Sequence, residues 1–261
     1  MDTSSMGFGV TGALDLDIIR RLAPRVEAAG FRTLWINDTP GGDSLAGLRA
    51  AAAVTTTLKL ASGVIPLDRR PAENIISSVT SLEIPQDRLI LGVGSGGAYP
   101  ALRLVHGGVA ELQARFECRV VVGALGPKMR RLGATESAGL LLNWLTPAAA
   151  ALVQTEMEHD TREAGKDPSS VTLYIRVAYG TEATERLRGE ASRYGQIKGY
   201  AANFARLGID GLQASVFADD PAAIRAGLDA YAGTVNETVV RAITAGDSLA
   251  EMTELLDLIA S

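Results

Sequence analysis

Two stretches of the chain hold residue types that could do chemistry, and both do so through backbone. Arg88-Leu-Ile-Leu-Gly-Val-Gly-Ser-Gly-Gly97 passes from aliphatic residues into glycines at 92, 94, 96 and 97, and Gly123-Ala-Leu-Gly-Pro-Lys-Met129 passes from an apolar run into a proline-headed helix. Glycine has no Cβ to hold a ligand away, so either stretch can bring N–H groups to a phosphate or a ring carbonyl. Pro127 suits the first position of a helix, whose unpaired N–H groups, with Lys128, would attract a phosphate. Gly92, Gly94 and Gly97 fit the dinucleotide spacing G-x-G-x-x-G, which has meaning only in the right context. The next strand ends Val121-Val-Gly-Ala124 and lacks the acidic residue that binds ribose hydroxyls, so NAD binding is disfavoured.

The elements that must position these stretches are visible as apolar runs. Eight of them read as strands: Met6 to Gly12, Thr33 to Asp38, Leu58 to Ile65, Arg88 to Val93, Arg119 to Ala124, Ala138 to Trp144, Val171 to Tyr179 and Asp210 to Phe217. Segments of helical period separate them, as in Leu14 to Ala29, which Gly30 terminates, and Pro147 to Gly165. Helices at Pro221 to Ala232 and Ser248 to Ala260 close the series, the second with a capping box at Ser248 and Glu251. Strands alternating with helices imply parallel pairing, and runs such as Val120-Val-Val122 and Leu140-Leu-Leu142 imply burial on both faces. The fold class is therefore α/β, and eight units in 261 residues fit one (β/α)8 TIM barrel domain spanning 1–261, with a doubly wound open sheet as the rival.

A barrel puts its site at the carboxyl ends of the strands. These ends are Gly9 to Gly12, Asn37-Asp38-Thr39, Ser62-Gly63-Val64, Gly94-Ser95-Gly96-Gly97, Ala124-Leu125-Gly126, Asn143-Trp144, Tyr179-Gly180 and Phe217. Asp38 is the one charged residue among them, and no histidine, lysine or second carboxylate joins it. Small residues, amides and a tryptophan suit holding a flat polar ring that brings its own reactivity.

Composition narrows the classes further. With 47% hydrophobic and 21% charged residues, the chain can bury a large core, and its net charge of −5 with no basic cluster disfavours nucleic acid. No apolar run is long enough to span a bilayer, and Met1-Asp2-Thr3-Ser4-Ser5 has no export-signal design, so no membrane partner and a cytoplasmic location are expected. The single cysteine, Cys118, sits in an apolar stretch and reads as buried filler, and the two histidines lie far apart, so no metal site is expected.

Taken together, Leu34-Trp-Ile-Asn-Asp38, Leu60-Ala-Ser-Gly-Val-Ile-Pro66, Asp87 to Gly96, Gly123-Ala-Leu-Gly-Pro-Lys-Met-Arg-Arg-Leu132 and Gly139-Leu-Leu-Leu-Asn-Trp-Leu-Thr-Pro147 resemble the bacterial luciferase-like monooxygenase superfamily. The likeness is strongest to its branch of oxidoreductases using the deazaflavin coenzyme F420. The resemblance implies hydride transfer between F420 and a small organic substrate, with FMN-dependent monooxygenation or non-catalytic flavin or deazaflavin binding as alternatives. It also implies a homo-oligomer, a dimer in the first instance. By the same resemblance, Asp38, Ser62, Gly63, Val64, Gly94, Ser95 and Gly96 would contact the ring, with a cis peptide at Gly63–Val64. Ala124, Leu125, Gly126 and Lys128 would hold the phosphate-bearing tail, and Asp38, Thr39, Asn143 and Trp144 would form the catalytic surround.

Two departures from the family pattern bear on activity. Thr39 and Gly97 stand where some F420 dehydrogenases carry a histidine and a glutamate for proton transfer, and a threonine hydroxyl is a poor base at neutral pH. The insertion that relatives carry between strands four and five is also short here, so the usual lid is mostly gone.

Overall fold

Alternating strands and helices form where the apolar periodicity requires them, over the residues 2–261 that the computed structural model describes. In chain order they are β1 (Met6–Thr11), α1 (Leu16–Ala28), β2 (Thr33–Asn37), α2 (Ser44–Ala52), β3 (Lys59–Pro66), α3 (Ala72–Ser81), β4 (Leu89–Gly94), α4 (Ala101–Arg115), β5 (Arg119–Gly123), α5 (Pro127–Glu136), β6 (Gly139–Asn143) and α6 (Pro147–Glu163). They continue with β7 (Ser170–Tyr179), α7 (Thr181–Gln196), α8 (Lys198–Leu207), β8 (Ser215–Ala218), α9 (Pro221–Asp229), β9 (Glu237–Ile243) and α10 (Leu249–Ala260). All strand pairings are parallel, and β1 to β7 followed by β9 close a ring on β1, giving the expected (β/α)8 barrel.

Alternation along each strand sorts side chains into two layers. Trp35, Ala61, Ile90, Val121, Leu141, Tyr174 and Val239 pack together inside the ring. Their neighbours, among them Leu34, Ile36, Val120, Val122, Leu140 and Leu142, join the larger apolar layer between sheet and helices.

The eighth ring strand is not the one the apolar runs suggest. Of the expected strand Asp210 to Phe217, only the end is extended, as β8, and it lies outside the ring on the upper half of β7, at Arg176–Tyr179. Ring closure falls to β9, whose apolar run is interrupted by Glu237 and Arg241. Both are buried, at 6% and 7% exposure, because they sit on the strand's inward phase. Glu237 accepts a 3.0 Å hydrogen bond from Trp35 Nε1 over Gly7 of the intervening β1. A strand with charged inward residues reads as a polar segment until a strand brought near it by ring closure supplies the partner.

The helices dock through local devices that the sequence does display. Ser248 caps α10 and Glu251 reciprocates, as the spacing predicts. Glu27 on α1 reaches the turn before β3, where its Oε1 accepts from the backbone N–H of Thr56, Thr57 and Leu58 at 3.0, 2.6 and 2.9 Å. Burial raises its carboxyl pKa, but the bonds from Thr57, Leu58 and Thr56 outweigh that and hold it at about 2, against an ordinary 4.5. Because the folded value is depressed, the stabilisation is fully present above pH 4.5 and is lost as pH falls toward 2. Glu27→Gln is therefore expected to cost about 1 kcal/mol at neutral pH, and the deficit should shrink in urea unfolding below the ordinary carboxylate range.

Candidate cofactor site at the barrel mouth

A cleft of about 470 Å³ opens at the carboxyl ends of the strands and gathers most of the residues expected there. Asn37, Asp38 and Thr39 follow β2, Gly63 and Val64 lie in β3, Gly94, Ser95 and Gly96 follow β4, Ala124, Leu125 and Gly126 follow β5, and Asn143 ends β6. All of these line the cleft.

Its floor is a bulge in β3, where the register against β4 shifts between Ser62 and Ile65 and the Gly63–Val64 peptide is cis. Asn37 Nδ2 donates to the Gly63 carbonyl at 2.5 Å, fixing the bulge to β2. A Cβ on Gly63 would fall 2.0 Å from the Tyr174 hydroxyl, so no side chain fits there. Val64 projects between Gly94 and Gly123, where an added Cβ would lie 3.0 and 2.8 Å from it. The glycines thus leave room for Val64 and keep the flanking walls flat. Gly96 has φ of +59° and its missing Cβ would meet Asp68 at 1.9 Å, while Asp68 accepts from the Gly97 N–H at 2.7 Å. That turn needs glycine for its backbone.

Three expected site residues stand elsewhere. Ser62 is fully buried, and its hydroxyl donates to the Gly92 carbonyl at 3.1 Å and accepts from the Gly92 N–H at 3.0 Å, so it ties β3 to β4 beneath the bulge. Lys128 is exposed on α5 and is not among the lining residues. Trp144 is fully buried behind the cleft, because its φ of +56° turns the chain away after β6 and packs the indole under α7 and α8. Asp38 does line the cleft, yet its carboxylate is engaged: it accepts from Ser44 Oγ at 2.9 Å and lies 3.6 and 3.8 Å from Arg69 and Arg70. Thr39 reaches Thr11, hydroxyl to hydroxyl, at 3.4 Å.

The far wall comes from a segment that showed no motif. Tyr194, at the end of α7, and Ile197 and Tyr200, around the start of α8, lean over the cleft, and Tyr174 rises from its floor. These side chains cover the mouth on the side away from β4, and α4 is the one helix between β4 and β5. Beneath these side chains lies Arg176, 2% exposed, with its guanidinium 3.8 Å from the Trp144 ring centroid and 5.0 Å from that of Tyr194. Arg176 Nε pairs with Glu190 at 2.9 Å and a terminal nitrogen donates to Asn143 Oδ1. Burial raises the Glu190 pKa, but Arg176 and Arg241 beside it bring the carboxyl below its usual range. One signal in the sequence pointed here: along β7, polar Thr172, Tyr174 and Arg176 alternate with apolar Val171, Leu173, Ile175 and Val177. That phase marks a polar inner wall once the ring is closed.

The geometry suits a flat heterocycle with an anionic tail. Val64 and Gly94 to Gly96 give a level apolar surface, and the start of α5, which has no side-chain cap, lies beside Gly126. Among the described residues the buried Tyr174 hydroxyl and Asn37 Oδ1 have no hydrogen-bond partner, so the floor carries polar capacity to spare. Burial holds Tyr174 protonated far above neutrality. Apart from Asp38, the lining offers amides, hydroxyls and phenols.

Comparison with known proteins agrees with this picture. Residues 3–117 match the model of the luciferase-like monooxygenase family. Over 215 residues the chain is 26% identical to a 5,10-methylenetetrahydromethanopterin reductase of Methanolobus tindarius, an alignment covering 69% of this chain and 65% of that protein. The chain thus spans just under two thirds of the length of this curated relative. Among solved structures, the coenzyme F420-dependent tetrahydromethanopterin reductase of Methanopyrus kandleri superposes with a TM-score of 0.71 at 17% identity, covering 100% of this chain and 98% of that one. An F420-dependent secondary alcohol dehydrogenase bound to an F420–acetone adduct gives 0.77 at 15% identity, covering 99% of both chains. The FMN-bound oxygenating constituent of 3,6-diketocamphane monooxygenase from Pseudomonas putida gives 0.68 at 14% identity, covering 98% and 97%. At these identities the superpositions establish the barrel fold.

Proposed function

With a luciferase-like (β/α)8 barrel as the premise, we propose that this protein is a coenzyme F420-dependent oxidoreductase acting on a small organic substrate. The observation that carries the reading is the cleft itself: a level glycine and valine floor beside the uncapped start of α5, with almost no acid or base of its own. Such a site orients a reactant whose reactivity comes from a cofactor. The bound deazaflavin supplies a hydride donor or acceptor at C5. The chain's own share is to seat the ring on Val64 and Gly94 to Gly96, to hold the tail at Ala124 to Gly126, and to screen the reacting face from water with Tyr194, Ile197 and Tyr200. The F420-dependent tetrahydromethanopterin reductase and the F420-dependent secondary alcohol dehydrogenase that share this barrel fold favour F420 as the cofactor.

The same reading takes the protein as a single barrel domain that acts in the cytoplasm as a homo-oligomer, without a nucleic-acid partner. Its net charge of −5 agrees with the last point, and among the described residues no helix is long and apolar enough to cross a membrane.

Titration of the protein with F420 and, separately, with FMN tests the assignment. F420 is expected to bind and to quench intrinsic fluorescence; binding of FMN alone would replace the deazaflavin by a flavin, and binding of neither would remove the cofactor reading. Gly126→Val probes the tail. An added Cβ there has only Arg206 Nη1 near it, at 4.0 Å, and the backbone has φ of −92°, so the fold should tolerate the side chain. F420 affinity should fall at least about tenfold, a loss of roughly 1.4 kcal/mol, with an unchanged melting temperature. Equal affinity would sink the phosphate assignment at 124 to 126.

A further inference from the structure

Lys128, the expected charge partner of the tail, stands outside the cleft lining, and a different cation reaches the same place from 81 residues further along the chain. We propose that Arg206, on α8, is the anion anchor at the tail end of the cleft, and that it makes the site selective for a ring cofactor carrying a phosphate ester over the same ring without one. The inference rests on the cofactor reading above and adds the residue that sets this selectivity.

Two guanidinium groups meet there at one backbone carbonyl. Arg206 Nη2 donates to the Leu125 oxygen at 2.9 Å, and Arg130 Nη1 donates to the same oxygen at 3.2 Å. Leu125 lines the cleft and directly precedes Gly126, the cap residue of α5. A neutral oxygen shared by two cations does little to offset their repulsion. Arg130 is compensated, since its Nη2 pairs with Glu156 at 2.8 Å. The neighbouring Arg131 is engaged by Asp160 and Glu163. Arg206 has no such partner: it holds the Leu125 carbonyl and the Asn203 side-chain oxygen, both uncharged, and among the described residues it forms no salt bridge.

The side chains that meet Arg206 or its carbonyl have donors without acceptors. Arg130 is 8% exposed and its Nε has no hydrogen-bond partner among the described residues; Asn203 is 1% exposed, and the same holds for its Nδ2. Buried donors are ordinarily paired. This corner therefore carries an excess both of donors and of positive charge, which is the complement of a phosphate.

Gly126 supplies the room. Chain neighbours apart, a Cβ built on it has Arg206 Nη1 at 4.0 Å and nothing closer, so the missing side chain leaves a gap between backbone and guanidinium. The start of α5 has no side-chain cap, and its dipole adds to the attraction for an anion. Arginine suits the task because its planar fork takes two phosphate oxygens at once. The helix that carries it is already packed on this loop: a Cβ on Gly199, near the start of α8, would lie 3.7 Å from Leu125 Cδ1.

Arg206→Gln tests the assignment with one ring in two forms. Arg206 is exposed, so the variant should fold. The F420 chromophore is titrated as its free ribityl alcohol and as its 5′-phosphate into both proteins, following quenching of intrinsic fluorescence. Wild type should bind the phosphate at least about tenfold more tightly than the alcohol, and the variant should lose about tenfold on the phosphate alone, a change of about 1.4 kcal/mol. An unchanged ratio of the two affinities in the variant, or an equal loss for both forms, overturns the anchor. If the protein takes flavins in place of deazaflavins, the F420 reading fails, and the ratio of FMN to riboflavin affinity decides Arg206 by the same criterion. If it takes neither ring, the cofactor reading fails as a whole, and melting temperatures in sodium phosphate and in sodium chloride of equal ionic strength decide the anchor. A phosphate-induced rise that is larger in wild type than in Arg206→Gln supports it, and equal rises remove it.

Discussion

Arg176→Met is expected to cost the protein about 3–5 kcal/mol of stability, the range for removing one partner of a buried ion pair. Arg176 is almost wholly enclosed and serves three neighbours at once: Glu190, the Asn143 amide and the Trp144 ring. Methionine keeps much of the length but leaves the Glu190 carboxylate without its closest partner. The pH dependence should change with it. In the wild type the Glu190 carboxyl lies below its ordinary value, so its stabilisation is present above the carboxylate range and is lost as pH falls through the depressed value. In the variant, that loss on acidification should be smaller. Adding Glu190→Gln to Arg176→Met should cost much less than in the wild type, since the pair is coupled. Urea unfolding of the four proteins measures this directly, and additive losses would show that Arg176 acts through packing alone.

Gly63→Ala is the second large effect, at about 3 kcal/mol, the upper end of overpacking in a tight interior. The methyl group would lie 2.0 Å from the Tyr174 hydroxyl, 2.7 Å from its ring carbon and 3.0 Å from Leu141 Cδ2, so something must move. Tyr174 is 2% exposed and packs edge-on against Trp35 at 5.8 Å, which leaves it little room to withdraw. Displacement of the bulge would also tilt Val64 out of the floor, so F420 binding should weaken along with stability. Tyr174→Leu in the same chain, which removes the hydroxyl and ring carbon that clash, should recover part of the loss. A thermal melt and a coenzyme titration on the single and double variants check both expectations; a Gly63→Ala protein that melts and binds like wild type would show that the floor is pliable.

Much of the cleft was legible because its chemistry resides in backbone. Gly63, Gly94 and Gly96 are each small for a local reason, and glycine at a strand end advertises that reason in the sequence itself. Pro127 likewise announces the start of α5. Trp144 and Lys128 misled because residue type and position at a strand end do not say which way a side chain turns. A positive φ sends Trp144 into the interior, and the exposed face of α5 carries Lys128 away from the cleft. Tyr194 and Tyr200 escaped notice because their helices follow β7 without a recognisable motif, and only the folded chain lays them across the mouth.

Seven of the eight ring strands, the parallel alternation, the caps of the last helix and the glycine-lined strand ends follow from sequence alone, since each depends on residues a few positions apart. The eighth strand, the fate of Asp38 and the Glu190–Arg176–Asn143 chain were decided by tertiary structure. Glu237 finds Trp35 from 202 residues away, and Arg176 reaches Asn143 from 33. A buried charge is tolerable only where such distant partners converge, so a polar residue on an inward phase has no readable meaning until the ring closes around it.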